Sequence, residues 1–162
     1  MSNSNAPAEL AHFAFLIGAW RGEAKLKRDD GTWERFLVMW DGRYILDGYA
    51  IADEYRMTTQ ADELVVHGMN LRAYDRRRRA WNMKWLDARA GTWTDLGSEE
   101  LGGVVIDEAG ITYRMMEPMA GHRFTRATYT NISSDSFTWR GERSNDGSTW
   151  DEFLVVELRR KQ

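Results

Sequence analysis

Trp20-Arg21-Gly22-Glu23-Ala24-Lys25-Leu26-Lys27 alternates without a break between apolar or small residues and charged ones. Successive side chains of a strand point to opposite faces, so Trp20, Gly22, Ala24 and Leu26 line a dry face while Arg21, Glu23, Lys25 and Lys27 meet water. Asp29-Asp30-Gly31 then reads as a turn, and Thr32 to Trp40 returns as a second strand. Asp41-Gly42 predicts a further turn into a strand over 43–55. Beyond a polar loop at 56–63, strands are expected near 64–74, 80–87, 92–99, 104–107, 111–117, 122–130, 136–143 and 149–160. Their connectors are of hairpin length. A meander of roughly ten or eleven antiparallel strands must curl, and closing it removes the exposed edges. The expected fold is all-β: a closed antiparallel up-and-down barrel of about ten strands, one domain over 1–162.

The segment before this strand has a different period. Residues 1–6 read as a frayed polar lead. Pro7 and Glu9 suit the first turn of a helix, and Leu10, Phe13, Ala14 and Ile17 recur at helical spacing, so a short helix over 7–17 is predicted, ended by Gly18. The apolar run from Phe13 to Trp20 is short and follows no positive region, so neither a signal peptide nor a membrane span fits, and a soluble cytoplasmic protein is expected.

Composition narrows the chemistry. The 162 residues include no cysteine, which excludes disulfides, thiolate nucleophiles and cysteine-ligated metals. A net charge of −3 has the wrong sign for a nucleic-acid binder, and Arg76-Arg77-Arg78-Arg79 follows Tyr74-Asp75 as a solvated hairpin turn. Neither nucleic acid nor membrane is expected as a partner. His12, His67 and His122 show no paired spacing, and phosphate-loop and dinucleotide fingerprints are missing, so no metal and no cofactor is expected. Tryptophan is abundant, with 8 residues.

Trp20-Arg21-Gly22-Glu23 recurs as Trp139-Arg140-Gly141-Glu142, and each copy runs through a turn (Asp30-Gly31, Asp146-Gly147) to a Phe-Leu-Val at 36–38 and 153–155. The first and last hairpins of a meander become neighbours on closure, which would gather Trp20, Trp33, Trp139 and Trp150 at a seam. Similar packing demands explain one such repeat more simply than an array does.

Phe15-Leu16-Ile17-Gly18-Ala19-Trp20-Arg21-Gly22-Glu23 resembles the opening of a lipocalin-like family of unknown function in the calycin superfamily. Leu46-Asp47-Gly48-Tyr49, Tyr74-Asp75, Trp85-Leu86-Asp87 and Ser136 to Glu142 fall in the order of that family's further motifs, over about 10–160. The resemblance implies a barrel of about ten strands with an interior cavity and implies no reaction. The related nitrobindin-like haem proteins open with a similar GxWxGxG element. They carry a haem-ligating histidine near the C-terminus, whereas no histidine follows His122 here, a departure that argues against haem.

Acid–base chemistry would need ionisable groups on the dry side of a strand, where burial and neighbours shift their pKa. In the expected phase, Asp47 lies with Ile45, Tyr49 and Ile51, His67 with Val65, Met69 and Leu71, Asp87 with Trp81, Met83 and Trp85, and Arg126 with Phe124. Arg21, Glu23, Arg140 and Glu142 point outward. A one-residue bulge would invert a strand, leaving Asn70, Arg72 and Tyr74 as the alternatives on 64–74.

Three readings follow. The leading one is a binder of a small, largely apolar or aromatic molecule inside the barrel, walled by Trp81, Trp85, Trp93, Tyr113 and Trp139, with Arg126 pairing any anionic group. The alternative is a cofactor-independent lyase or isomerase, including cyclisation or decarboxylation. There His67 serves as general acid or base, Asp47 or Asp87 as its orienter or as base, and Arg126 as oxyanion partner. The third is an interaction module that forms a homodimer through an open seam.

Overall fold

Leu10, Phe13 and Leu16 are buried, and their spacing of three residues explains the first element. The computed structural model describes residues 3–116 and 123–162, and in it Ala8–Leu16 is a 3-10 helix. Three residues per turn set positions i, i+3 and i+6 in one line. Both ends show the matching hydrogen bonds: Leu10 N–H donates to the Pro7 carbonyl (3.2 Å) and Ile17 N–H to the Ala14 carbonyl (3.1 Å). The helix expected over 7–17 exists, with the tighter winding. His122 and the turn expected at 118–121 lie outside the described residues.

Eleven strands follow in the described residues: β1 Gly18–Lys27, β2 Trp33–Ile45, β3 Ala50–Thr58, β4 Leu64–Asp75, β5 Ala80–Asp87, β6 Thr92–Leu96, β7 Val104–Asp107, β8 Gly110–Met116, β9 Phe124–Thr130, β10 Ser136–Ser144 and β11 Asp151–Arg160. They form one antiparallel sheet in the order β6-β5-β4-β3-β2-β1-β11-β10-β9-β8-β7. The first and last strands pair as expected, with Trp20 opposite Arg160 and Leu26 opposite Leu154.

The barrel is nevertheless not closed. It is a sheet curled into an open half-barrel whose two edges are β6 and β7. Closure would need a β6–β7 ladder, but β6 has five residues and β7 four. The chain between them passes Gly97, Gly102 and Gly103, all at positive φ, which carries it away from any ladder. β7 occupies the edge of β8 as far as Tyr113. Just past that point Gly97 N–H donates to the Arg114 carbonyl (2.8 Å). The opening therefore lies mid-chain, away from the junction of the chain's two ends.

A second departure concerns Asp41-Gly42. β2 runs straight through the predicted turn, and the chain reverses instead at Leu46–Gly48, where Leu46, Asp47 and Gly48 all adopt positive φ. Gly42 is there for space: a Cβ would collide with the Leu16 backbone carbonyl, where the 3-10 helix crosses β2.

That helix plugs one end of the curled sheet. Phe13 meets Trp81 edge-to-face at 4.8 Å and Tyr129 at 6.1 Å, while Phe15 packs on Phe137 at 5.2 Å. Such ring pairs contribute about 0.5–1.5 kcal/mol each beyond area burial. Trp20 is fully buried and donates its Nε1–H to the Leu16 carbonyl (3.0 Å), tying the plug to β1. The end-hairpin tryptophans do not gather at a seam, since Trp33 is 42% exposed and Trp150 lies under the Arg126 guanidinium on the outer face. No helix among the described residues is long and apolar enough to cross a membrane.

Candidate functional site

Inside the curl, beyond the plug, lies a cavity of about 320 Å³ that opens toward the opposite end of the sheet. Two of its walls are indole rings laid against glycines. A Cβ on Gly141 would fall 2.8 Å from the Trp139 ring, and one on Gly68 would collide with the Trp85 ring. The missing side chains leave room for both rings to pack over these positions, and both rings line the cavity. Leu96, Met115, Phe153 and Leu154 complete an apolar lining.

Behind the lining residues Trp40, Asn70 and Tyr129, which form the floor, lies a polar cluster centred on Asp53 of β3, fully buried. Trp40 Nε1 donates to Asp53 Oδ2 (2.8 Å), Asn70 Nδ2 donates to the same oxygen (2.7 Å), and the Arg72 guanidinium pairs with Oδ1. Arg72, equally buried, also donates from Nη2 to Tyr129 Oη (2.9 Å) and stacks over Phe13 at 5.0 Å from the ring centre. A buried charge is tolerable only when paired and hydrogen-bonded, and here each partner is both. Burial pushes the Tyr129 phenol well above its ordinary pKa, partly opposed by Arg72, and burial alone pushes Tyr55 up.

At the mouth, Asp87 Oδ1 accepts the backbone N–H groups of Arg89 (2.8 Å) and Ala90 (3.1 Å), shaping the β5–β6 turn. Arg143, near the end of β10, lines the cavity and stacks over Phe153 at 3.9 Å from its ring centre.

Of the residues singled out from the sequence, Trp85, Tyr113, Trp139 and Asp87 line this cavity. Trp81 belongs to the plug, packed on Phe13. Trp93 is 52% exposed, because Thr92, Thr94 and Leu96 take the inward positions of β6. The four ionisable candidates do not converge. Asp47 sits exposed in the turn that β2 makes later than expected. His67 is on the outer face, where Nε2 lies 2.7 Å from Glu54 Oε1. Arg126 is also outside, bidentate to Glu142 at 2.8 Å from both Nε and Nη2.

β4 thus has the phase opposite to the one expected, and its alternatives Asn70 and Arg72 are the buried residues. Counting apolar residues misleads there because Met69 and Leu71 are half-buried on the outer face, while the inner positions are Gly68, Asn70 and Arg72. Asp53, Trp40, Tyr55 and Tyr129 were missed. Asp53 had a signal: it shares the phase of Ile51 and Tyr55, so the dry-side test points to it once it is carried along β3.

No family model matches the chain, and neither does any curated protein. Solved structures do match. Rv2717c from M. tuberculosis superposes with a TM-score of 0.67 at 12% identity, over 98% of this chain and 100% of that one. The S-type phycobiliprotein lyase CPES from Guillardia theta gives 0.61 at 8% identity, over 96% and 93%. The fold is a lipocalin-like half-barrel. Identities this low show the fold alone, and fold does not fix function. They lend no support to the closer resemblances, to the family of unknown function or to the nitrobindin-like branch.

Proposed function

We propose that the protein binds one small, largely apolar aromatic molecule in the cavity of the curled sheet. The observation that carries this reading is the pair of indoles, Trp85 and Trp139, packed over Gly68 and Gly141 and lining an unfilled volume. A flat ring face bordering empty space is a stacking surface, and the surrounding apolar side chains reward any ring that displaces water from it. At about 30 Å³ per water-sized unit, the volume holds on the order of ten non-hydrogen atoms, one or two fused rings. Arg143, which lines the cavity, is the cation nearest in role to the one expected of Arg126, whose guanidinium is turned outward to Glu142. A fold shared with a phycobiliprotein lyase is consistent with a ligand held in a curled sheet.

The test is titration of tryptophan fluorescence with naphthalene, 2-naphthoate and their phenols, alongside native mass spectrometry for a co-purified molecule. Saturable quenching at one site per chain is expected. A flat response to every aromatic probe, with no bound mass, would sink the reading.

A further inference from the structure

The floor carries a hydrogen-bonding pattern that an apolar ligand does not need. A carboxylate paired with a guanidinium is an acceptor only, so Asp53 dictates which end of the Asn70 amide faces it: the nitrogen, at 2.7 Å. The Asn70 carbonyl oxygen is thereby turned away from Asp53. Asn70 is 6% exposed and lines the cavity, and no side chain or backbone group among the described residues donates to that oxygen.

The other end of the same ion pair sets a second polarity. A guanidinium only donates, so Tyr129 Oη must accept from Arg72, and its own proton has to go elsewhere. The neighbouring phenol is Tyr113, whose ring centre lies 6.3 Å from that of Tyr129. The Tyr113 hydroxyl carries a proton of its own that it can donate. Tyr113 is 3% exposed and lines the cavity. The buried ion pair therefore orients an acceptor, Asn70 Oδ1, and the lining of the same cavity includes a donor, the Tyr113 O–H.

We infer that the buried end of the ligand is a neutral group bearing both an N–H donor and a carbonyl acceptor, such as a ring lactam or cyclic amide, read by Asn70 Oδ1 and the Tyr113 hydroxyl. This inference rests on the proposed binding role and specifies its ligand class. An anionic end is disfavoured at the floor. It would meet the Asn70 oxygen with Asp53 directly behind it, while the Arg72 charge is already matched. An anionic substituent belongs at the mouth, beside Arg143.

The experiment compares four probes of similar size by fluorescence titration and calorimetry: naphthalene, 2-naphthoate, 2-quinolinone and N-methyl-2-quinolinone. Loss of a buried hydrogen bond should cost about tenfold in affinity. Accordingly 2-quinolinone is expected to bind about tenfold or more tightly than its N-methyl analogue. Tyr113→Phe, which keeps the ring and removes only the hydroxyl, is expected to weaken 2-quinolinone by about the same factor and to leave naphthalene unchanged. Equal binding of the two quinolinones, or an equal effect of Tyr113→Phe on naphthalene, overturns the inference while the cavity reading stands. Failure of all four probes to bind overturns the cavity reading, and the inference with it.

Discussion

Replacing Arg72 by methionine is the sharpest perturbation of this architecture. The side chain is fully buried, pairs with Asp53, donates to Tyr129 Oη at 2.9 Å and covers the Phe13 ring. Methionine preserves much of the volume, so the chief change is electrostatic: Asp53 keeps its hydrogen bonds from Trp40 and Asn70 and loses its countercharge. Removing one partner of a buried pair costs about 3–5 kcal/mol. At about 2–4 °C per kcal/mol for a domain of this length, the melting temperature should fall by roughly 6–20 °C. Without Arg72 the buried carboxyl has a folded pKa above its unfolded value of about 3.9. A group of that kind contributes stability below the unfolded pKa and loses it as pH rises through the folded one. The deficit of Arg72→Met against wild type should therefore widen from pH 4 to pH 7. Adding Asp53→Asn removes the stranded charge while its carboxamide oxygen still accepts from Trp40 and Asn70, so the double variant should recover most of the loss. Thermal unfolding followed by tryptophan fluorescence and circular dichroism decides the matter. A drop under about 2 °C, which is less than 1 kcal/mol, or a double variant no better than the single one, would refute the reasoning.

Three further expectations concern the cavity and the surface. Gly141→Ala places a methyl 2.8 Å from the Trp139 ring and must push the indole into the cavity. Affinity for aromatic probes should fall, with about 1–3 kcal/mol of overpacking cost visible in urea unfolding. Arg126→Ala, whose bidentate partner Glu142 lies on the outer face, should leave probe binding unchanged, whereas Arg143→Ala should weaken 2-naphthoate and spare naphthalene. Calorimetry on both variants checks this. Asp146 accepts backbone N–H groups from Ser148 and Thr149, and these hold its pKa at about 2, below the usual 3.8. Its stabilising effect is present above the unfolded value and lost as pH falls through the folded one. The wild-type advantage over Asp146→Asn in melting temperature should accordingly shrink between pH 4 and pH 2.

Local pattern was enough for the outline of this protein. The alternation from Trp20 to Lys27 and the turn residues that follow locate nearly every strand and the antiparallel order, because side-chain period and turn chemistry are properties of a few adjacent residues. The pairing of the chain's two ends followed from the expectation that a long meander curls until its first and last hairpins are neighbours. Closure was not legible, since whether β6 meets β7 depends on where two short strands and three positive-φ glycines lie in space. Three of the aromatic walls, Trp85, Tyr113 and Trp139, could be read from strand phase. The polar floor was legible only in part, through the phase that Asp53 shares with Ile51 and Tyr55. Burial of Asp53 and Arg72 is tolerable only because β3, β4 and β9 bring carboxylate, guanidinium and phenol into contact. No local pattern records such a contact, so a rule that sends charge to the outside places Arg72 on the wrong face. Sequence alone determined the strands and their order, and the tertiary structure decided which charges are inside, because desolvation is offset by partners that lie far away along the chain.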